Sequence, residues 1–356
     1  MNKQLLDLLD LAKKKLLMKI KSTDISGLQI SDYNKRYLLD KMLSLDSVIS
    51  IYSNILYYSL KDENVEHLNR FVFVDYGGGS GLLSLLAAQV GVGIVIYTDI
   101  YDVSCSDAEA LSEALDLSIN HFVCGDIYEL KRFVKNSGIY VDAIASYDVI
   151  EHIYDVELHF RELFTLLSIN SKVVYASSAN ISNPLIESTL KKRQRIAEYN
   201  SQKEVWGNKK RDTLKAYFEA RCDIIKNIAP NMDDNINKAL AEKTRGLNMN
   251  DIEKFVLEYI KSGAIIYRAS HETNTCDPYT GNWCEHLMEF KWLESVVKAP
   301  GFTCTIIPGG YYAKGRGYKN ILKRAVNEII KIFNSKALSL SPYYLICAHK
   351  SISSMK

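Results

Sequence analysis

The sequence predicts an α/β fold with a mostly parallel sheet, helices ahead of it and a helical insertion after its fifth strand. Three observations predict it. The apolar run Val72-Phe73-Val74 leads through Asp75-Tyr76 into Gly77-Gly78-Gly79-Ser80-Gly81, and Leu82, Leu85, Leu86 and Val90 then recur at helical spacing. Short apolar runs at residues 94–99, 121–124, 141–146 and 172–178 follow, each far enough from the last to leave room for a crossover helix. Asp99 and Asp126 stand at or just past the ends of the first two of these runs, where such sheets bind ligands.

Taken in order, residues 1–65 read as helices, with Ser31-Asp32 capping one that carries Tyr37, Leu38, Met42 and Leu43. The glycine run marks a sharp turn between the first strand and its helix, open to close approach by a ligand. A dinucleotide site would need Gly-x-Gly-x-x-Gly, but counting from Gly77 puts Leu82 at the third glycine, and counting from Gly79 puts Ser84 there. Ile94-Val95-Ile96-Tyr97-Thr98-Asp99 ends in an acid roughly 20 residues after the turn, placed to accept from ribose hydroxyls. His121-Phe122-Val123-Cys124 leads to Gly125-Asp126, and Val141 to Ser146 runs into Tyr147-Asp148-Val149-Ile150-Glu151-His152. Before the fifth strand, Ile153, Val156, Phe160, Leu163, Phe164 and Leu167 share one helical face.

From about residue 70 to 183 the chain resembles the class I S-adenosylmethionine (SAM)-dependent methyltransferases. The resemblance rests on Asp75, Gly77, Gly79 and Gly81 as the first motif, on the strand-end acids Asp99 and Asp126, and on a Glu-His variant of the fourth motif at Glu151-His152. It implies a Rossmann-like sheet with an antiparallel last strand and SAM as cofactor. The implied contacts are Asp75, Gly77, Gly79 and Gly81 around the nucleoside and its tail, Asp99 on the ribose, Asp126 and Ile127 at the adenine, and Ser146 and Tyr147 near the methyl group. Where the family commonly has Pro-Gly-Gly before the fifth strand, this chain has Ser168-Ile169-Asn170-Ser171.

Four segments are expected on this plan: an N-terminal helical lid (1–68), the SAM-binding core (69–183), a helical insertion with an acceptor-binding loop (184–295), and a sheet-completing part (296–356). The insertion is charged, with basic clusters at Lys191-Lys192-Arg193-Gln194-Arg195 and Lys209-Lys210-Arg211. A strand is predicted from Ala264 to Tyr267. The sheet is completed by residues 301–307 and 343–348, with a basic helix from Tyr318 to Phe333 between them.

Composition is that of an ordinary globular protein, with 47% hydrophobic and 24% charged residues in 356. Seven scattered cysteines suit a reducing compartment, and a cytoplasmic location is expected. Lys13-Lys14-Lys15 interrupts the leucine-rich start before a signal-peptide core is long enough, and no run approaches the ~20 apolar residues of a membrane span. The net charge of +2 conceals an asymmetry. Residues 71–183 hold five Lys and Arg against fifteen Asp and Glu, whereas residues 314–356 hold nine against one. That basic end suits an anionic acceptor, or simply complements the acidic core.

Methyl transfer asks the protein to align a nucleophile and, for a hydroxyl, to remove its proton. His152 is the leading base, with Glu151 to orient it or bind a divalent ion. A second set lies in the polar and aromatic stretch from His271 to His286, whose two histidines are the other candidate bases. No metal is assigned, since Cys276 and Cys284 have no usual zinc-ligand spacing with these histidines. The expected activity is O-methylation of a small-molecule or glycan-linked hydroxyl acceptor. The alternatives are an RNA or protein methyltransferase and a non-catalytic SAM-binding protein. DNA is not expected as substrate, because Ser146-Tyr147-Asp148-Val149 departs from the Pro-Pro-aromatic fourth motif of DNA amino-methyltransferases.

Overall fold

A computed structural model describes residues 2–202, 213–264, 267, 269 and 271–351. The basic cluster Lys209-Lys210-Arg211 and residues 265 and 266 of the expected strand lie outside them. In chain order come helices α1 (Lys3–Ser22), α2 (Asp32–Met42) and α3 (Leu45–Leu60), then β1 (Val72–Tyr76), α4 (Leu82–Val90), β2 (Ile94–Asp99), α5 (Asp102–Ala114) and β3 (His121–Cys124). There follow α6 (Ile127–Ser137), β4 (Ala143–Tyr147), α7 (Val156–Leu166), β5 (Lys172–Ser177), α8 (Pro184–Tyr199), α9 (Tyr217–Ile228), α10 (Asp234–Lys243) and α11 (Met249–Ser262). The last elements are α12 (Phe290–Lys298), β6 (Thr303–Pro308), α13 (Tyr318–Phe333) and β7 (Tyr344–His349). The sheet order is β3-β2-β1-β4-β5-β7-β6, with β7 antiparallel to both neighbours and the β1–β5 pairs parallel. The Rossmann-like sheet expected from the sequence is therefore present.

The chain divides into two compact units, and the first comprises Met1–Ile150, Val156–Ser178 and Phe290–Lys356. β1, β2, β4 and β5 are buried on both faces, as parallel strands covered by helices must be. Alternate residues Phe73, Val95, Ala143, Ala145 and Val174 share one apolar cluster with α1, α3, α4 and α5. α1 joins that cluster because Leu5, Leu9, Ala12, Leu16 and Ile20 are three or four residues apart and form one buried stripe. The Lys13-Lys14-Lys15 run falls outside the stripe. Asn2 and Ser31 cap α1 and α2, each side chain accepting a backbone N–H of the first turn.

The second unit comprises Glu151–Asp155 and Ala179–Glu289 and is built on α8 to α11. A small apolar cluster of Ile224, Ile225, Leu240, Ile252 and Val256 holds α9, α10 and α11 together. Around it the polar groups pair inward. Arg221, fully buried, binds Glu198 and donates to the Ala241 carbonyl at 2.8 Å, while Thr275 Oγ1 donates to Glu198 Oε2 at 2.6 Å. A buried ion pair of this kind is kept only where every remaining donor is used. The stretch 271–286 is pinned by the same logic. Gln194 Nε2 donates to Asn274 Oδ1 at 3.0 Å and to the Glu285 carbonyl at 2.8 Å, and Asn274 Nδ2 donates to the Leu287 carbonyl at 2.9 Å. Within this expected acceptor-binding loop, Thr273, Asn274, Thr275, Cys276 and Asp277 are all buried. The polar partners on α8 make that burial possible.

Candidate functional site

The glycine turn takes its shape from three different demands. Gly77 has φ +68°, and a Cβ there would lie 2.6 Å from Val149 Cγ2, so close packing excludes any larger residue. Gly79 has φ +52° and nothing within 4 Å of where its Cβ would be. It faces open space, and its backbone is held from both sides: Tyr97 Oη donates to its carbonyl at 2.6 Å and its N–H donates to Asp99 Oδ2 at 3.0 Å. Gly81 is the residue that caps α4.

The acids of the turn differ in what they do. Asp75 is buried and accepts the Ser84 N–H at 3.0 Å and the Ser84 hydroxyl at 2.7 Å, which fastens α4 to the end of β1. Burial pushes its carboxyl up to about 7. Asp99 Oδ1 accepts the Tyr101 N–H at 2.9 Å, so each oxygen already holds one backbone donor. A carboxylate offers about four acceptor positions, which leaves two for a ligand. Asp126 is exposed and caps α6 through Oδ1, which accepts from Tyr128 N at 2.8 Å. The Ile127 side chain is buried beside it. At the end of β4, Ser146 is fully buried, and Tyr147 presents its ring edge-on to Tyr52 of α3, with centroids 5.7 Å apart.

Glu151 and His152 end a single 3-10 turn after β4, and both belong to the second unit. The His152 Nδ1 lies 2.9 Å from the Trp283 carbonyl. Trp283 stacks on His286 at 4.1 Å, and the His286 N–H donates to the Glu151 carbonyl at 3.0 Å. Three of the four residues expected to act in catalysis are thus brought together around one indole. Glu151 and His286 are buried, and burial pushes the His286 imidazole down to about 4. His271 lies apart from this stack, its Nδ1 accepting the Thr273 N–H at 3.3 Å, and burial lowers its pKa as well. Among the described residues no group of three or more His, Cys, Asp or Glu is placed to hold a metal ion.

Residues 74–175 match the family model of a methyltransferase domain. That segment, from β1 to β5, is similar to a methyltransferase domain. No curated protein sequence matches the chain significantly. Among solved structures, the chain is similar to an SAM-dependent methyltransferase from Mesorhizobium loti (13% identity, 80% of this chain and 92% of that one, TM-score 0.38). It is also similar to one from Clostridium acetobutylicum (9% identity, 83% and 96%, TM-score 0.37). A methyltransferase from Agrobacterium tumefaciens aligns at 16% identity over 36% of this chain, with TM-score 0.29, and this chain covers only 44% of its length.

The methyltransferase domain has residues that fit its cofactor. The open space at Gly79 is a cradle that a side chain would fill, and Asp99, tied to the same peptide, keeps acceptor capacity for the ribose hydroxyls. If Asp99 holds the ribose as expected, Asp99→Ala would remove that contact together with the anchor of the Gly79 amide. The expected result is SAM affinity weaker by about 1.5–3 kcal/mol in titration calorimetry. An unchanged affinity would move the ribose contact elsewhere.

Sequence reasoning gave no role to Tyr37, Tyr52 and Asp148. Asp148 follows β4 in the left-handed region (φ +53°), its carboxylate accepting the Ser178 N–H at 2.7 Å. Burial, with the Asp148 charge nearby, pushes the Tyr37 phenol up to about 12, and burial holds Tyr52 well above the usual range. Both stay protonated as hydrogen-bond donors. The only trace in the sequence is Asp148 itself, since aspartate tolerates a positive φ better than most residues; that α2 and α3 bring two tyrosines beside it is a tertiary fact.

Proposed function

We propose that this protein transfers the methyl group of SAM to a hydroxyl of a small-molecule or glycan-linked acceptor. The observation that carries the reading is the fixed imidazole of His152. A carbonyl oxygen only accepts, so the Nδ1–H donates to Trp283 and Nε2 is the ring nitrogen left to face an acceptor. An imidazole anchored through Nδ1 would act as a general base through Nε2. SAM supplies an electrophilic methyl carbon on a sulfonium. His152 would take the proton of the acceptor hydroxyl at Nε2, leaving the oxygen free to accept that methyl group. Glu151 and Trp283, joined to His286 and His152 through backbone and ring contacts, would position the base, and the helices α8–α11 with the stretch 271–286 would shape the acceptor pocket.

An RNA acceptor would call for free cations along the insertion. Lys191 instead pairs with Glu187 at 3.0 Å and Glu272 at 2.9 Å, and Arg193 with Glu285 at 3.5 Å. Lys191 and Arg193 thus serve the unit's own acids, which supports a small acceptor. Seven cysteines that are all free support the reducing environment of the cytoplasm.

The test is transfer of an isotope-labelled methyl group from SAM to a panel of phenols, sugars and sugar phosphates, beside RNA and a protein mixture. Label is expected as an alkali-stable ether on a member of the first group. Label confined to RNA or protein would overturn the acceptor class, and SAM binding without any transfer would make the protein a non-catalytic binder.

A further inference from the structure

A surface helix normally turns its apolar stripe inward. α13 does the reverse. At 100° per residue, Tyr318, Ile321, Leu322, Ile329, Ile332 and Phe333 fall within an arc of about 120°, and every one is exposed, Tyr318 by 79% and Ile332 by 74%. The opposite side holds the helix to its own unit. Ile330 is buried there, and Asn327 clamps the Tyr311 peptide, accepting its N–H and donating to its carbonyl, both at 2.7 Å. Cations flank the apolar stripe, with Lys319 beyond one margin and Arg324 and Lys331 beyond the other; Lys331 also pairs with Glu328 at 2.7 Å, across exposed side chains.

We infer that α13 docks this protein on the surface of an anionic lipid bilayer. An outward apolar stripe bordered by Lys and Arg is the arrangement that lies in the plane of a membrane interface, the stripe entering the acyl boundary and the cations meeting headgroup phosphates. The helix has 16 residues and a length of about 24 Å; with cations on its flanks it lies on a bilayer and does not cross one, and no helix among the described residues is long and apolar enough to do so. Charge decides against a second copy as the occupant. α13 carries Lys319, Lys323, Arg324 and Lys331 against Glu328, and a face-to-face pair would oppose two such helices within a Debye length, whereas anionic headgroups neutralise them. This inference is independent of the acceptor's identity.

The full chain should cosediment with phosphatidylcholine–phosphatidylglycerol vesicles, more weakly as salt rises, and far less with phosphatidylcholine alone. Ile332→Glu with Phe333→Glu should reduce partitioning at least tenfold, and Lys319→Gln with Lys331→Gln also about tenfold or more, since each surface cation is worth about fivefold. The changed side chains are exposed, so circular dichroism and SAM affinity should match the parent. Absence of binding to mixed vesicles, equal binding to neutral ones, or binding indifferent to the glutamate pair would overturn the inference. A lipid-free dimer that the glutamate pair dissociates would assign the stripe to a second copy instead.

Discussion

Gly79→Arg is expected to abolish SAM binding while leaving the fold in place. Two effects add. A side chain at φ +52° sits in the left-handed region, at about 1–2 kcal/mol for an ordinary L-residue. The larger effect is steric, because the Cβ direction opens into the space the cofactor would fill, and a guanidinium on a three-carbon stem would occupy it. Apart from its chain neighbours no heavy atom lies within 4 Å of that Cβ, so the new side chain starts into open space. The melting temperature should drop by only a few degrees, consistent with strain of that size. Gly77→Arg is the informative contrast, for its Cβ collides with Val149 and should damage the fold itself. Calorimetry and thermal melting on both variants separate the cases. Retained affinity in Gly79→Arg would remove the glycine turn from the cofactor site.

The parts of this structure that were readable in the sequence are those set by local pattern. The strands from Val72 to Ser177 announce themselves as short apolar runs because a parallel sheet is buried on both faces, and β6 and β7 close it where residues 301–307 and 343–348 were expected to. α13 begins and ends at Tyr318 and Phe333 as its periodicity indicates. What pattern could not show is pairing across long separations. Gln194 meets Asn274 80 residues away, and Arg221 meets Glu198 and, through it, Thr275; these contacts turn a polar stretch that looks solvent-facing into a buried one. Asp75 is the same lesson within the site. Its position beside the glycines suggests a ligand contact, and what the sequence does not show is that its Oδ2 also takes both donors of Ser84, in the first turn of α4. Nor does a wheel diagram of α13 reveal that its apolar side faces out, because that depends on Asn327 and Ile330 holding the other side.

His152→Ala is expected to cut the rate of methyl transfer by ~10²–10⁴-fold, the range for losing a general base, with SAM affinity nearly unchanged. The histidines are separated by their surroundings. His286 is buried, with its imidazole pushed down to about 4, so it is a weak proton acceptor near neutral pH; His271 lies outside the Trp283 stack. His152 is half-buried, and its Nδ1 is committed to the Trp283 carbonyl, which directs proton uptake to Nε2. His152→Asn sharpens the test, since an amide can keep the bond to Trp283 but cannot accept the proton. Both variants should be slow, and both should recover partly as pH rises, because the acceptor hydroxyl must then ionise without help. An active His152→Asn would make the residue a structural tie. Rate and SAM affinity falling together would put it in the wall of the cofactor site, and an unchanged rate would pass the role to His271. Loss of turnover on chelation, restored by Mg²⁺ and not by pH, would replace proton removal with metal ligation by Glu151 and His152.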